Sequence, residues 1–250
     1  MVYKAPKIHS VPGKGTSLVE WFLEKKPYAK NMPLMEAGLV NRLDFETQGL
    51  VLFAGNHESY SKFLEEQNKG NIIKTYSALV SSSDKRMSGF MPFKIDPDDI
   101  SCPYTIKSFF RAFGSGRKQV RPVDESADIK YLKKHKIYDK IYSTQIIKKH
   151  IITDRLLKSN KEILSLHINI NQGFRHQIRC HLAWLGLPIL NDLVYGGEKT
   201  ALGMQTFASR TKGIQTKGLL ALRASELMFS DPASGEKLHY KLPELSIEEI

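Results

Sequence analysis

The chain has 250 residues, enough for one large domain or two small ones with a substantial core. Hydrophobic residues make up 41% and charged ones 25%, an ordinary globular balance, and no apolar run approaches the length of a membrane span. Lys and Arg number 37 against 26 Asp and Glu, a formal net charge of +11. Such a surplus favours a polyanionic partner, because each phosphate neutralised by Lys or Arg releases condensed counterions.

The opening stretch "MVYKAPKIHSVPGKG" has no apolar core of signal-peptide length. Cys102 and Cys180 are too few and too isolated for a disulfide scaffold or a zinc site. Cys180 reads as a small half-buried thiol on a helix rather than a nucleophile. The expectation is a reduced, cytoplasmic protein, monomeric for want of a long exposed apolar heptad.

"TSLVEWFLEKK" (16–26) predicts a capped amphipathic helix with Leu18, Trp21 and Phe22 on one side. "GLVLFAG" (49–55) predicts a buried strand, and "HESYSKFLEEQNKGN" (57–71) a helix ending at Gly70. "IIKTYSALV" (72–80) alternates as a strand does. From Ser81 to about Asp139 the texture changes to Ser, Asp, Pro, Gly and Lys with short aromatic pieces between. "YSTQIIKKHII" (142–152) and "EILSLHINI" (162–170) predict a hairpin joined by a polar turn. "FRHQIRCHLAWLG" (174–186) predicts a helix with Phe174, Ile178, Leu182 and Leu185 on its core stripe and Gly186 as its stop. The tail returns to strands, "GLLALRASELMFS" (218–230) and "KLHYKLP" (237–243), around an Asp-Pro-Ala-Ser-Gly turn. The layout is α+β, with a mixed, mainly antiparallel sheet and flanking helices. It is read as a single catalytic domain over 1–250, with a basic, insertion-like region at about 81–140.

Two stretches carry the chemistry. In "VNRLDFETQGLVLF" (40–53) a polar segment stands between apolar flanks. One reading is a solvated turn before a strand, with Asp44 and Thr47 bonding local backbone and Gly49 supplying an unusual dihedral. The other is a working pair: in extended chain Arg42 and Asp44 point the same way, and an aspartate beside a strong cation stays ionised and can act as a nucleophile. In "GFRHQIRCHLAWLGLPILNDLVYGG" (173–197), Arg175 and Arg179 at a spacing of four share one face if the segment is helical. That face is either solvated or turned to a carboxylate and to RNA phosphate.

Taken together these stretches resemble a known family. "NRLDFETQGL" resembles the H-R-L-D-x-x-T-S-G-L signature of the RluA/RsuA-type RNA pseudouridine synthases, and "RHQIRCHLAWLGLPILNDLVYGG" their T-H-Q-I-R-x-H-L element. "KTYSALV" (74–80) resembles the K-x-Y strand, and "FGSGRKQVRPV" (113–123) a basic segment common in the RluA type. "LALRASELMFSDPASGEKLHY" resembles the closing L-H-A-x-x-L-x-F pattern. The resemblance runs in order through nearly the whole chain and is closest to the RluA type.

It implies the pseudouridine synthase fold and the isomerisation of a uridine in structured RNA, ribosomal or transfer, to pseudouridine. By the same resemblance Asp44 is the catalytic carboxylate, and Tyr76 packs on the target base and is a candidate for proton abstraction. Arg179 pairs with the aspartate, and Arg42 enters the RNA stack where the uridine leaves. The base must be flipped out of its stem at a cost of a few kcal/mol. An isomerisation needs no redox cofactor, nucleotide or metal, and no motif for one is present. The aspartate either attacks C1′ or assists formation of a glycal, and the sequence does not choose. Asp192 and Tyr195 read as structural support, and His176 as an ordering residue.

The stretch between Arg111 and Lys140, with Arg117, Lys118, Arg121, Lys130, Lys133, Lys134 and Lys136, interleaves cations with Phe113, Tyr131 and Tyr138, and Phe109 and Phe110 stand just ahead. It reads either as a solvated face or as an RNA contact that positions backbone. The chain departs from the pattern at Asn41, Gln48, Phe174-Arg175 and Arg223, and the expectation is that no small S4 domain stands ahead of the core. The rival readings are another RNA-modifying enzyme, for which no cofactor turn is found, and a non-catalytic RNA-binding or ribosome-assembly protein that retains the fold.

Overall fold

The computed structural model describes all residues except 14, 32–33, 93–95, 97–98, 136, 138–139, 153–161 and 201–217. The elements in chain order are β1 (Val2–Lys4), α1 (Leu18–Lys25), β2 (Gln48–Val51), α2 (His57–Lys69), β3 (Ile73–Ser81), β4 (Tyr104–Phe113), β5 (Gln119–Val123), α3 (Ile129–Lys134), β6 (Tyr142–Ile152), β7 (Ile163–Ile170), α4 (Gln177–Trp184), β8 (Leu222–Ser230) and β9 (Lys237–Lys241). Two units emerge, one from Met1–Tyr76 with Leu222–Glu244, the other from Ser77–Ala221 with Leu245–Ile250.

In the first unit β2 runs antiparallel to β1 and parallel to β8, and β9 is antiparallel to β8. The α1 helix starts where predicted, because Ser17 and Glu20 close a capping box. Its buried face differs from the expectation: Leu18 and Val19 are buried while Trp21 is 42% exposed. Phe22 reaches inward only to stack on Phe53, with ring centroids 4.1 Å apart. The α2 helix ends at Gly70 as predicted and packs Phe63 against Leu50, Leu52, Ile72, Leu227 and Phe229.

The bland features of the 40–53 stretch are real. Gly49 has φ +128°, and a Cβ there would lie 2.3 Å from the Ala224 carbonyl oxygen, its partner across β8. Only glycine satisfies both constraints. Gly49→Ala is therefore expected to destabilise the chain by about 3 kcal/mol, from strain and overpacking together, as urea denaturation would measure.

In the second unit β6 and β7 form the predicted antiparallel hairpin, β4 pairs with β6, and β5 with β4. The mixed, mainly antiparallel character is as expected. The α4 helix is buried along nearly its whole length. It begins later than predicted, at Gln177, because His176 takes the left-handed conformation (φ 56°) and stops the helix from extending back to Phe174. His181, fully buried, is satisfied by Ser108 Oγ and Thr144 Oγ1, both at 2.8 Å.

The β3 strand is buried on both faces, so its polar residues are buried too. Lys74 is among them; its Nζ donates to Gln67 Oε1 at 3.0 Å, and burial pulls its ammonium down to about 8. At about 1.4 kcal/mol per pKa unit, the charge costs the folded state on the order of 3 kcal/mol at neutral pH. Between pH 8 and the ordinary lysine range the unfolded chain holds a proton that the folded one does not, so this cost is relieved as pH rises. Lys74→Met should thus be more stable than wild type at pH 7, with the gap closing by about pH 10. A variant equally stable, or less so, at pH 7 would refute this cost.

Candidate active site

Asp44 stands in the loop between the buried Leu43 and β2, half-buried, with Arg42 exposed beside it. The loop is pinned by its own turn and by the N-terminal segment. Thr47 N–H donates to the Asp44 carbonyl at 3.1 Å, and Lys7 N–H to the Phe45 carbonyl at 2.8 Å. Ser10 Oγ donates to the Leu43 carbonyl at 2.7 Å and accepts from Leu43 N–H at 3.0 Å.

A residue that the sequence reading passed over completes this clamp. Lys4 is fully buried, and its Nζ donates to the carbonyls of Ile8 (2.7 Å), Ala5 (3.1 Å) and Phe45 (3.3 Å). Burial pulls the ammonium down to about 8, while the charges of Asp44 and Glu46 act the other way. Lys4 thus gives the loop a cation tied to Phe45, the residue after Asp44. Its one sequence signal is a lysine inside the short strand "VYKAP", which is weak without a fold.

Tyr76, in β3, is 6% exposed. Burial first, and the charge of Asp44 second, drive its phenol above the usual tyrosine range. The structure therefore brings Asp44 and Tyr76 into one electrostatic neighbourhood and keeps the phenol neutral. Arg42 turns outward, 65% exposed in its side chain, with Nη1 3.4 Å from Glu36 Oε1. An ion pair that open to solvent is weak, so the cation can leave it at little cost.

Two positions that depart from the family pattern serve packing. Asn41 Oδ1 accepts from Leu52 N–H at 2.8 Å, and Gln48 Oε1 accepts from Tyr3 Oη at 2.5 Å. Neither needs to take part in chemistry.

In the second unit Arg179 is 2% exposed and grips Asp192 with both ends of its fork, Nε to Oδ2 at 2.7 Å and Nη2 to Oδ1 at 2.9 Å. Asp192 Oδ1 also accepts from Val194 N–H (3.1 Å) and Tyr195 N–H (3.2 Å). Asp192 was read as support, and here it orients the arginine directly. Tyr195 Oη accepts from Val120 N–H and meets His176 Nδ1, each at 3.1 Å.

The expected shared face of Arg175 and Arg179 does not form. Arg175 precedes the helix and is exposed, whereas Arg179 lies inside it and is buried. Arg121, expected among RNA contacts, is 1% exposed. Its nitrogens donate to the Ser88 carbonyl (2.9 Å), the Val120 carbonyl (2.8 Å) and Gln119 Oε1 (2.8 Å), and its carbon lies 4.1 Å from the Phe113 centroid. Its guanidinium is buried, with its donors spent on two carbonyls and the Gln119 side chain. Arg117 and Lys118, at the turn before β5, are exposed as expected, as are Lys130, Lys133, Lys134 and Lys140. The interleaved aromatics behave otherwise. Phe109 is buried in a small core with Val123, Leu132 and Ile137, and Phe110, its neighbour on the opposite face of β4, is buried against Phe174 and His181, so both faces of the strand are covered here. Tyr131 remains 37% exposed, and Lys136 and Tyr138 lie outside the described residues.

Similar proteins are known. Residues 1–184 match the family model described as RNA pseudouridylate synthase, and the chain belongs to that family, in its RluA-type branch. The "Ribosomal large subunit pseudouridine synthase D" of Vibrio cholerae is 25% identical over 217 residues, 86% of this chain and 55% of the relative. An RNA pseudouridine synthase of Chlorobaculum parvum is 29% identical over 229 residues, covering 86% and 58%. The chain thus spans little more than half the length of these relatives. Among solved structures, human RNA Pseudouridylate Synthase Domain Containing 4 has the same fold, with TM-score 0.55 at 18% identity over 98% of this chain and 85% of that one.

Proposed function

We propose that this protein is an RNA pseudouridine synthase that isomerises a uridine in structured RNA, with Asp44 as its catalytic carboxylate. The observation that carries the reading is the coupling of Asp44 to the buried, neutral phenol of Tyr76. A carboxylate to start the exchange of the C1′–N1 bond for a C1′–C5 bond, and an aromatic hydroxyl to face the turning uracil, are what the reaction needs.

Asp44 acts as the anion, either at C1′ or on a ribose proton, and Lys4 and the loop clamp hold it in place. Tyr76 stacks on the base with its hydroxyl facing C5; for the neutral phenol to take the C5 proton, its own O–H proton passes to the Asp44 carboxylate once that group is released. Arg179, oriented within its own unit by Asp192, is the catalytic arginine of this reading, and Arg42 leaves Glu36 to fill the place of the flipped base. Arg117 and Lys118 contact RNA phosphate and position the backbone. The names of the relatives support ribosomal RNA over transfer RNA as the substrate. We place the protein in the cytoplasm as a monomer acting in one catalytic domain; among the described residues no helix is long and apolar enough to cross a membrane.

The test is tritium release from unmodified ribosomal and transfer transcripts labelled at uracil C5. Release from ribosomal transcript supports the reading and the substrate. Tight RNA binding with no release from either transcript favours a non-catalytic RNA-binding protein.

A further inference from the structure

The turn between β4 and β5 is built in an unusual way. Gly114 and Gly116 have φ 78° and 64°, and Arg117, which has a Cβ, has φ 54°. A left-handed arginine at an exposed tip is strained, and such strain persists only where surrounding contacts hold it. The contact here is Arg175: its Nη2 donates to the Arg117 carbonyl at 2.6 Å and, at a longer 3.4 Å, to the Gln119 carbonyl. The guanidinium that the sequence pattern offers to phosphate is spent on backbone.

The base of the same turn is tied down twice more. Arg121 holds the Gln119 side chain and the Val120 carbonyl, and Tyr195 Oη holds Val120 N–H. Tyr195 in turn meets His176, the neighbour of Arg175, and its own N–H binds Asp192, which grips Arg179. One hydrogen-bonded network therefore links the exposed cations of the tip to the segment that carries Arg179.

We propose that Arg175 is a positioning residue: it braces the β4–β5 tip so that Arg117 and Lys118 meet RNA phosphates in fixed register with the helix that carries Arg179. The proposal rests on the pseudouridine synthase reading, and Arg175 acts through the tip without itself binding phosphate. Both bonds leave one nitrogen, Nη2, so a lysine keeps the charge but loses the rigid planar group that fixes that nitrogen between the two carbonyls.

The experiment compares wild type with Arg175→Ala, Arg175→Lys, Arg117→Ala and Lys118→Ala. It reads hydrogen exchange at amides 114–119 in the free protein, the salt dependence of binding to a ribosomal transcript, and KM and kcat for tritium release. The brace requires faster tip exchange in both Arg175 variants, a KM rise of about tenfold that Lys does not rescue, and an unchanged salt slope. Arg117→Ala and Lys118→Ala should each lower that slope by about one. A slope lowered by Arg175→Ala with tip exchange unchanged would make Arg175 a phosphate ligand and overturn the proposal. Full activity in Arg175→Lys would overturn it equally. If wild type releases no tritium, the enzymatic reading fails, and the exchange of the tip amides still decides the brace by itself.

Discussion

Asp44→Asn is expected to lower pseudouridine formation by about ten-thousand-fold or more while leaving the fold in place. The magnitude follows from removing the carboxylate proposed to act as the anion at the ribose; an amide of the same shape can neither attack carbon nor take a proton. The fold survives because the loop is held by bonds to its backbone carbonyls that the substitution leaves in place: Thr47 N–H to the carbonyl of residue 44, and Lys7 N–H and the Lys4 ammonium to the carbonyl of Phe45. Tyr76 offers an independent reading. Its phenol is raised chiefly by burial and secondarily by the Asp44 charge, so in the variant it falls slightly and stays above the usual range. Tritium release from C5-labelled transcript and a spectrophotometric tyrosine titration measure the two effects. Release that survives the substitution would sink the mechanism.

The second large effect belongs to the buried pair. Asp192→Ala should destabilise the chain by about 3–5 kcal/mol, because Arg179 would keep a charge inside the protein with its main counterion gone. The same change leaves the Val194 and Tyr195 N–H groups without the oxygen that now accepts them. The double variant Arg179→Met with Asp192→Asn should recover most of that loss, since no unpaired charge remains and an amide oxygen still faces the two N–H groups. It should not recover activity, because the arginine proposed as catalytic is absent. Urea denaturation and tritium release on the same preparations separate the two roles. A double variant with wild-type turnover would make the arginine purely structural.

Much of the molecule was legible because local chemistry decided it. The Ser17–Glu20 box and the Gly70 stop were each written within a few neighbouring residues and the 142–170 hairpin by two adjoining strand patterns, and the structure has them where the pattern put them, the polar turn of the hairpin lying outside the described residues. Gly49 was legible as an odd backbone position, but its necessity comes from Ala224, far along the chain, pressing on its Cα. The basic 81–140 stretch was misread in part for the same reason. Composition records that Arg121 and Phe109 are present, and only strand pairing decides that both face inward while Arg117 and Lys118 face out.

The sequence by itself determined the class: the order of its motifs, the identity of Asp44, Tyr76 and Arg179, and the basic balance are properties of residue type and spacing, which no folding step alters. The tertiary structure decided which charges are free to act. Arg42 and Arg175 look alike in the sequence, yet one points to solvent beside Asp44 and the other clasps a turn. Arg121 and Arg179 are buried, and Lys4 becomes the cation tied into the Asp44 loop. The physical reason is that a charge acts according to its solvent, its distance to other charges and its hydrogen-bond partners. Those quantities exist only once residues far apart in the chain have been brought together.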